Sequence, residues 1–158
     1  MNKTVVLAGC GNMGFAMLKG WIDGKALDAS DVFVVEPNNE LRNRAAGLGL
    51  HVASDVSKLD NLFTPTLVVI AVKPQVMALV LPGYAPLAAR GTAFLSVAAG
   101  VGMKAYEAAL GEKTAIIRCM PNTPAAIGKG VLVYFNNPNV GAPLEGFVKQ
   151  LLACSGLV

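Results

Sequence analysis

Residues 4–14 read Thr-Val-Val-Leu-Ala-Gly-Cys-Gly-Asn-Met-Gly, and this stretch decides the fold. A short β-branched apolar run that ends in glycines is typical of a strand buried on both faces of a parallel sheet. Apolar residues at helical spacing follow, and Gly24 ends that pattern as a helix C-cap would. We therefore predict a strand over residues 4–8, a glycine-rich turn and a helix over residues 12–23.

The glycines of this turn match the pattern GxGxxG in the context that gives the pattern a physical meaning. The first glycine permits a tight turn, the second lets a pyrophosphate approach the backbone, and the third lets helix and strand pack closely. The amino end of the helix adds unpaired N–H groups and the positive end of the helix dipole. The candidate dinucleotide-binding residues here are Gly9, Gly11, Asn12, Met13 and Gly14. The alternative is a purely structural turn.

The rest of the chain alternates apolar runs with helical stretches. Strands are predicted over residues 31–36, 50–53, 66–72, 92–98, 114–119 and 131–135, with a further strand starting at residues 156–158. Helices are predicted over residues 39–48, 75–81, 104–110 and 143–153, and a short helix or turn over residues 55–62. This alternation implies right-handed βαβ crossovers. The predicted fold is α/β: a Rossmann-type doubly wound, mainly parallel sheet in three α/β/α layers, forming one domain over residues 1–158.

The composition argues against several other classes of protein. Hydrophobic residues make up 54% and charged residues 15% of the chain, which is typical of an ordered globular protein. The net charge of +3 is spread thinly, so we expect no nucleic acid and no membrane surface as a partner. No apolar run reaches the ~20 residues of a membrane span, and the run before Cys10 is too short for a signal peptide. We expect a cytoplasmic protein.

The cysteines and the histidine do not suggest a metal or a disulfide framework. Cys10, Cys119 and Cys154 are far apart in the sequence and odd in number, so we expect reduced thiols. His51 is the only histidine of the sequence, and a lone histidine is more often structural than a metal ligand. We predict no metal site.

An acidic residue lies where the second predicted strand ends. Glu36 follows Gly14 by 22 positions, where a carboxylate can accept hydrogen bonds from both ribose hydroxyls of an adenosine, with Pro37 beside it. Its charge repels a 2′-phosphate and so favours NADH over NADPH, although Arg42 and Arg44 are close enough to compensate partly. The alternative is a solvated carboxylate at the end of a strand.

Two loops follow the fourth and fifth predicted strands, at the edge where open α/β sheets bind ligands. The first contains Ala71, Val72, Lys73 and Pro74. It could run along the ribose of the cofactor, or be a plain connection between strand and helix. In the second loop, the small residues Ala98 and Gly100 leave room for a cofactor or for helix packing.

A third loop follows the sixth predicted strand, over residues 118–124. Pro121 and Pro124 bracket Asn122 and Thr123, which stiffens the loop and presents polar groups. Such a loop can hold a nicotinamide amide or a substrate carboxylate, or it can be a rigid turn. We therefore take Pro121, Asn122 and Thr123 as candidate substrate-binding residues, and Asn122 also as a candidate cofactor-binding residue.

Together these segments resemble pyrroline-5-carboxylate reductase along essentially the whole chain. The matching segments are the glycine motif of residues 9–14, the loop of residues 71–75, and residues 118–124 with Gly128 and Gly130. The Met-Pro-Asn-Thr-Pro segment is the most diagnostic, because other nicotinamide dehydrogenases share the first motif. The resemblance implies hydride transfer from the nicotinamide C4 to the C=N carbon of 1-pyrroline-5-carboxylate, giving L-proline. It also places residues 9–14 at the pyrophosphate, residues 71–74 along the ribose, and residues 121–123 beside the nicotinamide and substrate.

The chain departs from that family in two respects. Members continue into a helical second domain that forms the dimer and supplies a substrate loop, and many members prefer the phosphorylated cofactor, which Glu36 opposes. We expect this chain to be the cofactor-binding part of a homodimer or larger homo-oligomer, inactive alone and without an assigned catalytic residue. We also expect an exposed apolar surface near Leu151, Leu152, Leu157 and Val158. The alternatives are a stand-alone dinucleotide-binding module and another oxidoreductase of the same fold, such as a hydroxyacid or prephenate-type dehydrogenase.

Overall fold

A seven-stranded sheet flanked by helices forms the centre of the molecule. The computed structural model describes residues 2–158, without the side chains of Thr123 and Ala126. Its strands are β1 (Val5–Ala8), β2 (Val32–Val35), β3 (His51–Ala53), β4 (Leu67–Ile70), β5 (Ala93–Ser96), β6 (Ile116–Met120), β7 (Gly130–Val131), β8 (Val133–Asn136) and β9 (Gly156–Leu157). Its α-helices are α1 (Asn12–Asp23), α2 (Asn39–Ala46), α3 (Met77–Val80), α4 (Ala85–Ala89), α5 (Met103–Leu110) and α6 (Ala142–Ala153).

The strand order of the large sheet is β3-β2-β1-β4-β5-β6-β8. Neighbouring strands are parallel from β3 to β6, and β8 pairs antiparallel with β6. The chain therefore builds outward from β1 in one direction and from β4 in the other. The strand order reverses between β1 and β4, and the carboxyl ends of the strands there leave a crevice in which such sheets bind ligands. This topology confirms the predicted Rossmann-type, mainly parallel α/β fold.

Each face of the sheet is covered by a separate core, because alternate residues of a strand point to opposite faces. Val5 and Leu7 of β1 pack with Trp21 of α1 and Phe147 of α6 on one face. Residues of the opposite register pack with Phe94, Tyr84 and Tyr106 on the other face. Because β1 and β4 are buried on both faces, their sequences are continuous apolar runs rather than alternating ones.

Several predicted bounds differ from the structure near prolines. The predicted helix over residues 75–81 is a 3₁₀ turn, Pro74–Val76, followed by α3, a second 3₁₀ turn, Leu81–Tyr84, and the unpredicted α4. Prolines stand in the first turns of both later segments, where they start new helices and cannot continue old ones. The predicted strand over residues 131–135 is divided into β7 and β8, and β7 pairs with β9 in a separate two-stranded sheet.

The prediction of an exposed apolar surface near residues 151–158 was wrong for two of its four leucine and valine residues. Leu151 and Leu152 are fully buried, because α6 turns them toward the core beside α1. Leu157 is 72% exposed and Val158 is also exposed, as predicted. Further exposed apolar side chains lie along the edge of the large sheet and just before it: Met120, Val131, Val133 and Phe135.

Candidate cofactor-binding site

The turn between β1 and α1 requires glycine at two of its three glycine positions. Gly9 has a φ of +93°, and a Cβ there would lie 2.9 Å from the backbone N of Val72. A Cβ on Gly14 would lie 2.4 Å from the carbonyl oxygen of Gly9. Gly9 therefore makes the tight turn, and Gly14 lets the first turn of α1 lie against that turn.

Gly11 differs from the other two glycines because the protein itself does not need it. Its φ is −70°, which any residue adopts, and a Cβ there would meet no atom within 4 Å. The missing side chain leaves open space beside the turn. This is the space that a pyrophosphate needs in order to approach the backbone, so the residues present fit a dinucleotide.

The amino end of α1 opens beside Gly11. Gly11 is the N-cap of this helix, no side chain caps the helix, and its first turn carries no acidic residue. The first intrahelical hydrogen bond runs from the N–H of Phe15 to the carbonyl of Gly11 at 2.9 Å. The N–H groups of Asn12, Met13 and Gly14 precede that bond, so they and the helix dipole are available to an anion.

Glu36 connects the end of β2 to the glycine turn. It is only 7% exposed. One carboxylate oxygen accepts the N–H of Cys10 at 2.8 Å, and the other accepts the N–H of Asn38 at 2.9 Å. A carboxylate has about four acceptor positions, so these two bonds leave capacity for ribose hydroxyls. Glu36 therefore has a structural role that the sequence analysis did not foresee.

Two arginines surround the outer side of the same turn. Arg42 donates to the carbonyl oxygens of Glu36 at 2.9 Å and Pro37 at 3.2 Å. Arg44 donates to the carbonyl of Cys10 at 3.1 Å, and its guanidinium lies 3.9 Å from the ring centroid of Phe15. Both cations are thus already bound to backbone carbonyl oxygens, and Arg44 also to an aromatic ring.

A groove of about 770 Å³ begins at the glycine turn and runs along one face of the sheet. This volume suits a bound cofactor. Seven predicted residues line the groove: Gly9, Gly11, Glu36, Pro37, Ala71, Val72 and Lys73. The groove stays open because the connection between β3 and β4 forms a short 3₁₀ helix, Val56–Lys58, instead of a full helix over the sheet.

The other walls of this groove were not predicted from the sequence. Val56, Val76, Val80 and Tyr84 supply apolar surface, and Asp55 and Arg90 lie at its polar margins. These residues come from the connection after β3 and from the helical segment after Pro74. The signal for them was the lack of a helical pattern between β3 and β4, which predicts a thin cover over that part of the sheet.

The remaining predicted residues lie outside the lining of the groove. Pro74 starts a 3₁₀ turn. Ala98 is buried and Gly100 is exposed, both in the turn after β5. Pro121 is half-buried, and the side-chain oxygen of Asn122 accepts the N–H of Val131 at 3.0 Å. The side chain of Thr123 lies outside the described residues. The structure thus brings together the candidates for the adenosine side, while those for the nicotinamide and substrate follow β5 and β6.

The thiols near this site are poor nucleophiles. Burial raises the pKa of the Cys10 thiol to about 11, against the opposing effect of the nearby Arg44. Burial alone raises the pKa of Cys119 to about 12. Both thiols are therefore protonated near neutral pH.

Within residues 2–158, no group of three or more His, Cys, Asp or Glu side chains is placed to hold a metal ion. None of the helices described is both long enough and apolar enough to cross a membrane.

Comparison with known proteins gives the family. Residues 3–100 match the model of the family described as NADP oxidoreductase, coenzyme F420-dependent. The chain belongs to this family. It is also 35% identical, over 157 residues, to a pyrroline-5-carboxylate reductase of Aquifex aeolicus. That match covers 99% of this chain and 56% of the relative, so the chain spans about half the length of the relatives it matches.

Two solved structures support the fold. A pyrroline-5-carboxylate reductase of Coxiella burnetii superposes with a TM-score of 0.92 at 24% identity, covering the whole of this chain and 58% of that one. The Plasmodium falciparum enzyme, solved with NADP bound, gives a TM-score of 0.84 at 25% identity, covering 99% of this chain and 56% of that one. The chain therefore has the fold of the N-terminal part of these reductases, and an NADP-type oxidoreductase domain.

Proposed function

We propose that this chain is the cofactor-binding part of a pyrroline-5-carboxylate reductase, which reduces 1-pyrroline-5-carboxylate to L-proline. The observation that carries the proposal is the 35% identity over nearly the whole chain to such a reductase. The open space at Gly11 supports the cofactor part of the proposal independently, because no protein atom occupies the place where a side chain would lie.

The residues of the turn and groove divide the binding of the cofactor between them. The backbone at Gly11 and the first turn of α1 hold the pyrophosphate by N–H groups and the helix dipole. Glu36 accepts hydrogen bonds from the adenosine ribose, with Pro37 beside it. Residues 71–74 follow β4 and run along the second ribose. When bound, the reduced nicotinamide supplies the hydride, and these residues supply its orientation.

The nicotinamide and substrate are assigned to the loops that follow β5 and β6. Ala98 and Gly100 leave room for the nicotinamide half, and Asn122 offers it the amide nitrogen that its bond to Val131 leaves free. Pro121 and Thr123 lie on the substrate side. We assign no proton donor to this chain. The relatives are nearly twice as long, and we propose that a second, helical domain completes the substrate pocket and forms a cytoplasmic homodimer or larger homo-oligomer.

We further propose that this site prefers NADH to NADPH. The carboxylate of Glu36 lines the groove, where its negative charge would repel a 2′-phosphate. The two arginines that could compensate, Arg42 and Arg44, are bound to carbonyl oxygens of the chain. The Plasmodium falciparum relative has NADP bound, which supports a nicotinamide cofactor in this family without deciding between the two forms for this chain.

Calorimetric titration of this chain with NADH and NADPH, at one ionic strength, tests the cofactor proposal. We expect saturable binding of both, with the smaller Kd for NADH. Tighter binding of NADPH would contradict only the role of Glu36 in cofactor preference. No binding of either by folded protein would contradict the cofactor site itself.

A chimera tests the reductase proposal. Residues 1–158 would replace the matching part of the Aquifex aeolicus relative, and oxidation of NADH would be followed with 1-pyrroline-5-carboxylate. We expect substrate-dependent oxidation, and a lower rate at subsaturating NADH when the same chimera carries Gly11→Ala. A folded chimera that binds NADH but does not oxidise it with this substrate would contradict the assignment.

A further inference from the structure

Two hydroxyl groups are buried together where β5 ends. Ser96 is the last residue of β5 and is 1% exposed, and Tyr106 of α5 is fully buried. Their side-chain oxygens are hydrogen-bonded at 2.5 Å. The Ser96 hydroxyl also accepts the N–H of Ala98 at 3.2 Å. A tyrosine hydroxyl in an apolar core needs such a partner, because an unpaired one is costly to bury.

This pair connects helix α5 to the turn that leads into it. Ala98 is held through Ser96, while the N–H of Val97 donates to the carbonyl of Ile70 at the end of β4. Gly100, further along the turn, has a φ of +77°. The turn over residues 97–102 is therefore fixed at its first residues from two sides, by β4 through the backbone and by α5 through Tyr106.

The position of this turn suggests which half of a dinucleotide it meets. Ser96 pairs with Ile70 of β4, so the turn lies on the far side of β4 from β1 and from Glu36. A dinucleotide that crosses the strand-order reversal with its adenosine at β2 extends its other half over β4 and β5. The small residues Ala98 and Gly100 then face the nicotinamide half.

We propose that Tyr106 is a positioning residue for the nicotinamide half of the cofactor. It acts through Ser96, whose hydroxyl holds the N–H of Ala98, and so sets the turn over residues 97–102 before the cofactor binds. This inference rests on the cofactor part of the proposed function, and not on the identity of the substrate. Tyr106 itself does not touch the cofactor, because its side chain is buried under the turn.

Paired titrations with NADH and ADP-ribose test this proposal. ADP-ribose carries the adenosine, the pyrophosphate and the second ribose but no nicotinamide, so the ratio of its Kd to that of NADH measures what the nicotinamide contributes. For Tyr106→Phe we expect this ratio to fall by about three- to tenfold, as loss of one buried hydrogen bond predicts, with ADP-ribose binding unchanged within about twofold. Ser96→Ala should lower the ratio in the same direction.

A matched substitution separates positioning from general loss of stability. Tyr134→Phe also removes a tyrosine hydroxyl that is hydrogen-bonded, to Glu145 at 2.7 Å, but Tyr134 packs against the core on the other face of the sheet from Tyr106. We expect it to leave the ratio unchanged. Equal weakening of both ligands by Tyr106→Phe, or no weakening, would overturn the positioning role. If wild-type protein binds ADP-ribose as tightly as NADH, the positioning role fails while the cofactor site stands. If it binds neither, the proposed function fails.

Discussion

Substitution of Gly11 by alanine separates binding from folding in this protein. The added methyl group meets no protein atom within 4 Å, and a φ of −70° suits alanine. Alanine reduces the entropy of the unfolded chain, which stabilises by about 0.4–1 kcal/mol. It is also a poorer N-cap than glycine, which costs on the order of 1 kcal/mol. These effects oppose each other, so we expect a free energy of unfolding within about 1 kcal/mol of the wild type.

Binding of the cofactor should respond much more strongly to the same methyl group. It projects beside the turn at the point where the pyrophosphate approaches the backbone. Inserting one methyl group into a close contact costs about 1–3 kcal/mol. We therefore expect the Kd of NADH to rise by about 5- to 150-fold in Gly11→Ala, measured by calorimetric titration.

Gly14→Ala is the matched control, because its methyl group meets the protein instead of the ligand. The new Cβ would lie 2.4 Å from the carbonyl oxygen of Gly9, so α1 or the turn must shift. We expect a loss of about 1–3 kcal/mol in stability. In a domain of this size that corresponds to a fall in Tm of about 2–12 °C, measured by thermal unfolding.

Two results would refute this reasoning. If Gly11→Ala bound NADH within about twofold of the wild type, no ligand would approach the backbone at Gly11, and the glycine motif would be only a turn. If Gly11→Ala lost as much stability as Gly14→Ala, the space beside Gly11 would be needed by the protein. In either case the division of roles between the two glycines would be wrong.

Three further perturbations test other parts of the structure. Glu36→Gln should lower the free energy of unfolding by about 1–3 kcal/mol in urea titrations, because the glutamine NH₂ takes the place of one carboxylate oxygen that accepts a backbone N–H. The same substitution should raise the affinity for NADPH relative to NADH. Cys10 and Cys119 should not react with a thiol reagent at pH 8 until the protein unfolds, because burial raises both pKa values. Cys154 is only half-buried, so early reaction of more than one thiol per chain in a timed colorimetric assay would contradict this. The hydrogen bond to Glu145 raises the pKa of Tyr134 from 10.0 to about 12. The stability that this hydrogen bond contributes is therefore present below pH 10 and lost as the pH rises toward 12. Tyr134→Phe should flatten that part of a plot of Tm against pH.

The part of the fold that the sequence predicts best is the unit from β1 to α1. The predicted helix over residues 12–23 has the same bounds in the structure. Local signals agree there: a fully apolar strand, glycines at fixed positions, and a helical pattern that ends at Gly24. Because these signals lie within about twenty residues, no distant contact was needed to interpret them.

The parts that the sequence does not predict depend on contacts between distant segments. Leu151 and Leu152 were expected at an apolar surface that a second domain covers in the family, but α6 packs both against the core of β1 and α1. The walls of the groove combine Val56 with Tyr84, which are far apart in the sequence. The lack of a helical pattern after β3 indicates a thin cover there, but only the fold shows that these two segments meet at one groove.

Glu36 shows why cofactor preference and the shape of the glycine turn are coupled in this chain. Its two oxygens accept N–H groups from Cys10 and Asn38, and the same carboxylate faces the groove. A site that accepts a 2′-phosphate requires the negative charge to be removed, but the two N–H groups still require acceptors. Glutamine supplies only one oxygen, so it satisfies one N–H group and leaves the other opposite an amide NH₂. Preference for NADPH therefore cannot be introduced at residue 36 alone without loosening the glycine turn, to which we assign the pyrophosphate. A second change that supplies the missing acceptor, or that frees Arg42 or Arg44 to bind the phosphate, has to accompany it.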